Sequence, residues 1–358
     1  MRILRVAQKV YPDTKGGGQY HVHAMSRDQA AMGHDVTVLT TRDDPELAEV
    51  EERDGYTVVR VNPGVTLLGN DVSPAVARYL WGETGEHDLI HAHSHLYFAT
   101  NLAALKRRLG DIPLAITNHG LYSQSAPEWV FRQYLRTLGR WTYNRADVAF
   151  CYTEVDRDRL RDFGVNTRIE VVPNGIDTER FTPDGPESEL VESEGPVVLF
   201  VGRLVEGKRP EIAIEAISRL SDHQDVELYV CGDGPLKSTL EDSAGPEVTF
   251  LGAVPYDEMP AVYRSADLLV LSSRAEGVPR TVMEALSTGV PVVSSDLSQL
   301  RSAFGDEISY VSDQDISGFA DEIRKELTNN REVNLKGTFQ WDRTVEMTTE
   351  ILGNLVNS

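Results

Sequence analysis

Short apolar runs alternate with amphipathic stretches along the whole chain. In the first half the runs Ile3–Ala7, Val36–Leu39, Tyr56–Val61, Leu89–Ala92, Leu114–Thr117 and Val148–Tyr152 have the length and β-branched content of buried strands. Most intervals between them read as helices. The first runs from a glycine loop, Gly16–Gly18, to Gly33, a residue that tolerates positive φ and so stops a helix. The second half repeats this grammar. Val197–Val201 leads into a Gly202–Lys208 loop and a Pro210–Leu220 helix with proline in its first turn. Val226–Val230, the turn Gly232–Pro235, Leu268–Leu271 and Val290–Val293 follow. The pattern predicts two parallel, doubly wound α/β domains that face each other across a cleft and bind ligands at the carboxyl ends of their strands.

The expected boundaries are residues 1–181, an acidic linker over 182–195, a second domain over 196–340 and a closing amphipathic helix over 341–358. The linker reading rests on five acids together with Pro183, Gly185 and Pro186. A chain of 358 residues has room for two such cores. It contains no run of 18 apolar residues, so no membrane span is expected. Met1–Ala7 reads as a strand and not as a signal peptide, and Cys151 and Cys231 read as buried free thiols. Both point to the cytoplasm.

Charge changes the picture. The net charge is −21, from 56 acidic and 35 basic residues, and the bases are 28 Arg and 7 Lys. Such acidity argues against nucleic-acid binding, which needs cations to displace phosphate counterions. Scarce lysine with excess acid also suggests a cytosol at high salt, alongside the plainer reading of an ordinary acidic protein. The charge is uneven: −2 over residues 1–175 and −19 over 176–358.

The candidate chemistry lies in the strand-to-helix loops. Glu276 falls in the loop after Leu268–Leu271 and Glu284 inside the following helix, so the two carboxylates do not share a proton. Each can accept hydrogen bonds from vicinal hydroxyls, and the amides of Gly277 and Val278 at the helix start favour an anion. A surface loop with one capping Glu is the plainer alternative. Arg203 and Lys208 flank a glycine turn after a strand and suit a diphosphate, one as a fork and one as a point charge; surface salt bridges would explain them too. Gly16–Gly18 would let backbone approach a phosphate, or form only a tight turn.

In the first half, His91, His93 and His95 alternate along a strand as metal ligands could, but matching carboxylates and a fourth ligand are missing, so no metal is expected. His119 follows a strand at the loop that should face the cleft. Residues 106–145 carry a local net charge of +5. Within them Arg132, Arg136 and Arg140 fall at i, i+4 and i+8 beside Trp129, as a stripe for anionic lipid headgroups or as the solvated face of a core helix.

Taken in order, these motifs resemble the retaining glycosyltransferases of family 4. They are Gly16–Gly18, Gly33–Val38, Leu89–His93, Val172–Asp177, Phe200–Leu204 with Lys208, Gly232–Pro235, Tyr263–Asp267 and the pair Glu276 and Glu284. The resemblance implies a GT-B fold of two Rossmann-like domains, with the C-terminal helix crossing back to the first. It implies that Glu284 binds the ribose of a UDP- or GDP-sugar, and that Arg203 and Lys208 hold the diphosphate with help from Gly17 and Gly18. Glu276 and the backbone of Gly277, Val278, Pro279 and Arg280 would grip the donor sugar; His119 would approach it from the other domain; backbone near Val254 would meet the base. His119, Arg203, Lys208 and Glu276 are thereby the catalytic candidates, with no cofactor and no metal. The partners implied are a nucleotide sugar and a glycan or polyprenyl-linked acceptor, with a peripheral contact at the inner face of an anionic membrane as a further candidate.

One segment departs from the family pattern. After Val293 the chain reads Ser294-Ser-Asp-Leu-Ser-Gln-Leu-Arg-Ser-Ala-Phe-Gly305, where many relatives carry paired glycines and a Glu. A sugar-nucleotide epimerase on the same fold, which needs no acceptor, and a non-catalytic glycan-binding paralogue remain as alternatives. A dehydrogenase does not fit, because no G-x-G-x-x-G follows the first strand.

Overall fold

The computed structural model describes all residues except 68, 95, 122–127, 222–224, 330, 336 and 358. It divides into two compact units, Met1–Pro173 with Asp342–Ser358, and Asn174–Trp341.

The first unit holds β1 (Arg2–Val6), β2 (Asp35–Thr41), β3 (Val50–Arg53), β4 (Tyr56–Val61), β5 (Val65–Leu67), β6 (Asn70–Val72), β7 (Leu89–His93), β8 (Leu114–Thr117), β9 (Val148–Cys151) and β10 (Arg168–Val171). Eight of these form one sheet in the order β10-β9-β8-β7-β1-β2-β4-β3, parallel except for β3, and β5 pairs with β6 apart from it. Side chains alternate across the strands, so each face of the sheet has its own core. Leu4, Val6, Ile90, Ala92 and Ile116 pack on one face; Ile3, Val36, Val38, Leu89 and Phe150 pack on the other. The second of these cores also takes Leu352, fully buried, from the helix Trp341–Val356. Burying a leucine contributes roughly 1.5–3 kcal/mol, which gives that helix a thermodynamic reason to dock.

The second unit holds β11 (Val197–Val201), β12 (Glu227–Cys231), β13 (Val248–Gly252), β14 (Leu268–Leu271), β15 (Val292–Ser295) and β16 (Ser309–Val311), all parallel in the order β13-β12-β11-β14-β15-β16. Strand order reverses between β11 and β14 here and between β1 and β7 in the first sheet. At such a reversal the connections leave in opposite directions and open a crevice at the carboxyl ends of the strands. Two-unit α/β architecture, mostly parallel sheets and buried thiols at Cys151 and Cys231 match the sequence-based expectation.

The boundary differs from the expected one. Residues 174–181 belong to the second unit because Phe181, fully buried, packs its ring against Tyr256 and Tyr263. Nor is 182–195 a free linker: Ser188 N donates to Ser265 Oγ, Arg264 Nε to the Pro186 carbonyl, and Tyr229 Oη to the Glu192 carbonyl. Its acids and prolines describe a strapped surface segment as well as they describe a tether.

Candidate active site

The reversal in the second sheet brings the loop after β11 beside the loop after β14. Ser272 Oγ, just past β14, donates to the carbonyls of Lys208 and Arg209. This fixes the backbone from which Lys208 reaches Glu276, and its Nζ lies 2.5 Å from Oε1 of that carboxylate. Glu276 is buried and Lys208 partly so. An ammonium has three donors, and one ion pair uses only part of them. The helix Arg280–Ser287 starts next to this pair with Pro279 at its N-cap, so no side chain caps its first amides. A paired cation and carboxylate beside an uncapped helix start can hold an anion and a polyhydroxyl group side by side.

Around the same crevice, Gly232 and Gly234 let two loops touch backbone to backbone. A Cβ on Gly232 would sit 1.8 Å from the Gly202 carbonyl oxygen, and one on Gly234 2.5 Å from that of Leu204. Both glycines have φ near +155°, where other residues are strained. That contact braces the loop carrying Arg203, which is exposed.

Glu284 sits deeper. It is buried, accepts a hydrogen bond from Tyr263 Oη at 2.9 Å and a longer one from Tyr256 Oη at 3.4 Å, and faces Arg280 Nε at 3.5 Å. Burial raises its pKa above the usual glutamate value, while the Arg280 charge and the two phenols oppose that rise. Val254, expected near a nucleotide base, is half-buried two residues before Tyr256. Glu276 and Glu284 therefore have separate partners and separate environments. Sequence reasoning does not single out Tyr256, Tyr263 or the side chain of Arg280. Tyr263 lies inside the Tyr263–Asp267 motif, and no pattern marks Tyr256.

The reversal in the first sheet is lined differently. His91 and His93 on β7, His21 from the Gly17–Ala31 helix, His119 after β8 and Tyr152 after β9 form one cluster of rings. His93 Nδ1 and His119 Nε2 share a hydrogen bond of 3.0 Å, and His119 Nδ1 shares one of 2.6 Å with Tyr152 Oη. Both ring nitrogens of His119 are thus engaged within the unit. Burial, reinforced by the Arg5 guanidinium, holds His91 and His93 well below the usual histidine pKa; burial alone takes His119 down to about 4. Below the rings, buried Arg5 donates from Nη1 to Ser26 Oγ and from Nη2 to Gln29 Oε1. Gly18 lies against the His119 ring, at the start of a helix whose N-cap, Gly16, offers no side-chain bond. Among the described residues no group of three or more His, Cys, Asp or Glu side chains is arranged to hold a metal ion, and His95 lies outside them.

The basic stripe is broken. Residues 135–139 form a π-helical turn between the Glu128–Tyr134 and Arg140–Tyr143 helices, which rotates the second helix away from the i, i+4, i+8 register. Trp129, 72% exposed, lines an open groove of about 460 Å³ with Arg132, Gln133 and Arg136. Arg140 instead leans on Gly164, where an added Cβ would sit 2.9 Å from its Cδ. No helix among the described residues is long and apolar enough to cross a membrane.

With this geometry in place, comparison with known proteins is direct. The family described as Glycosyltransferase Family 4 matches residues 15–180, and that described as Glycosyl transferases group 1 matches residues 183–336. A GDP-mannose-dependent alpha-(1-6)-phosphatidylinositol monomannoside mannosyltransferase of Mycolicibacterium smegmatis is 30% identical over 310 residues, 79% of this chain and 78% of that protein. Among solved structures, sucrose-phosphate synthase from Thermosynechococcus elongatus has a TM-score of 0.83 at 18% identity, covering 99% of this chain and 98% of that one. Anabaena HepE in complex with UDP-glucose has a TM-score of 0.81 at 19% identity, covering 99% and 100%. The fold is thus GT-B, and the chain belongs to the family-4 glycosyltransferases.

Proposed function

We propose that the protein transfers a hexose-type sugar from a UDP- or GDP-sugar to a glycan or polyprenyl-linked acceptor, with retention and without a metal. The observation that carries this reading is the Lys208–Glu276 pair at the strand reversal beside an uncapped helix start. In it Lys208 and Arg203 take the donor diphosphate, with Gly17 and Gly18 offering amides. Glu276 and the backbone of residues 277–280 hold the sugar hydroxyls. Glu284 accepts from the ribose hydroxyls in place of the long Tyr256 bond, and backbone near Val254 borders the base. The bond from the anomeric carbon to the diphosphate oxygen breaks and a bond to the acceptor oxygen forms on the same face. The acceptor proton passes to the departing diphosphate. Two cations stabilise the negative charge that grows on that diphosphate. The relatives named above support both donor types, one by a GDP-mannose-dependent activity and one by a complex with UDP-glucose.

His119, with both nitrogens engaged, contributes a neutral ring edge from the first unit. The groove at Trp129, Arg132 and Arg136 is the candidate for an anionic acceptor headgroup or membrane surface. Calorimetric titration and transfer assays with a panel of UDP- and GDP-sugars test the reading. Tight binding of one donor and its loss in Glu284→Ala is the expected result; failure of every donor to bind the folded wild-type protein would end it.

A further inference from the structure

Arg280 is the first residue of the Arg280–Ser287 helix and is buried. Its planar guanidinium serves three directions at once. Nη1 donates to the Gly175 carbonyl at 3.0 Å, Nη2 donates to Tyr256 Oη at 2.8 Å, and Nε faces Glu284 at 3.5 Å. The guanidinium carbon also lies 5.9 Å from the Trp341 ring centre and 6.0 Å from that of Tyr256.

Gly175 and Trp341 are not arbitrary partners. The chain enters the second unit at residue 174 and leaves it after 341. These two crossings are tied to each other: Ile176 N donates to the Phe339 carbonyl and Trp341 N to that of Ile176, each at 2.9 Å. The far end of the Arg280–Ser287 helix holds the incoming segment again, through Ser287 Oγ and the Phe181 carbonyl at 2.5 Å. One helix thus carries Glu284 and grips both crossings.

We propose that Arg280 is a positioning residue that couples occupancy of Glu284 by a ribose diol to the order of the two crossings. This rests on the reading of Glu284 as the ribose-binding carboxylate. A diol donating to Glu284 stabilises its ionised form and strengthens its attraction for the guanidinium. Because the guanidinium is a rigid fork, a small shift toward Glu284 is felt at Gly175, Tyr256 and the Trp341 ring together. A lysine supplies the charge but not the fork.

The test combines hydrogen exchange at the Ile176 and Trp341 amides with calorimetric binding of UDP and GDP. In the wild type, a bound nucleotide slows exchange at both amides. Arg280→Lys, measured at a nucleotide concentration that saturates it, loses this protection. Tyr256→Phe, which removes the hydroxyl bridging Arg280 Nη2 and Glu284 but leaves the direct contact of Nε with Glu284, loses part of it. Arg280→Gln weakens binding about tenfold, the size of one charge-assisted hydrogen bond. That weakening grows as pH falls, because the groups left facing Glu284 (Tyr263 and Tyr256, with Cys231 behind Tyr263) are neutral. Wild-type binding falls less over the same range, because the Arg280 charge opposes the rise that burial causes in the Glu284 pKa. Wild-type amides that do not respond to bound nucleotide, or protection retained in Arg280→Lys and Tyr256→Phe, would overturn the coupling while leaving the ribose reading intact. Absence of nucleotide binding to the wild type would overturn both.

Discussion

The two strand reversals are built alike and furnished oppositely. In the second unit the crevice holds full charges in contact, Lys208 with Glu276 and Arg280 with Glu284. In the first unit it holds the rings of His21, His93, His119 and Tyr152 in mutual contact, with His93 and His119 kept neutral by burial. The same topology supplies the position; the residues after each strand supply the chemistry. A charged crevice suits a ligand that arrives and leaves as an anion, and a neutral one suits hydroxyl groups.

The strongest way to break this comparison is to remove one residue from each side. Lys208→Ala should lower the rate of transfer by about 10²–10³-fold, as for other transition-state donors that have been removed. His119→Ala, which removes a ring contact and no hydrogen bond to substrate, should cost about three- to tenfold. Equal losses in steady-state assays would show that the two crevices do not divide the work in this way.

Acidification sharpens it. His91, His93 and His119 have folded pKa values below their unfolded value of about 6.5, so between that pH and their folded values the unfolded chain binds more protons. Their contribution to stability is present above about pH 6.5 and is lost as pH falls. Glu284 works the other way: its raised pKa makes its ionisation a cost to folding that acid relieves. Hydrogen exchange from about pH 7.5 to about pH 5 should therefore show β7 losing protection before β11. Simultaneous loss would contradict the assignment.

A smaller effect is expected at the exposed groove. Trp129→Ala or a paired Arg132→Ala and Arg136→Ala change should weaken binding of an anionic acceptor or vesicle about three- to tenfold while leaving nucleotide binding unchanged. Arg140→Ala should do neither. The smallest effect concerns salt. With −19 of the formal charge on residues 176–358, raising salt toward about 1 M, where the Debye length is about 3 Å, should raise the melting temperature by a few degrees. A fall would remove the high-salt interpretation.

Much of this is legible in the order of residues. Parallel strands buried on both faces read as continuous apolar runs, so sequence locates β1, β7, β8, β11 and β14 within about two residues. Short or edge strands such as β3, β5, β6 and β16 escape it, because three or four half-exposed residues carry little periodicity. Lys208 and Glu276 are each candidates by residue type and position, but their pairing depends on β11 and β14 being neighbours, which is a property of the sheet. The break at residues 135–139 is hidden for a related reason: the register of one helix is settled by packing of Phe131, Leu135 and Tyr143, not by charge spacing. Tyr256 and Tyr152 are unreadable because their value lies wholly in the groups the fold sets beside them.

The return of residues 342–358 to the first unit has a consequence for synthesis. The sheet that begins at Arg2 leaves the ribosome early, yet the apolar face that receives Leu352 stays uncovered until the helix carrying it emerges. Meanwhile the contiguous second unit can close on itself. The portion translated first is the portion completed last. A chain cut after residue 341 would therefore keep the whole second unit and leave the site of Leu352 in the first unit exposed.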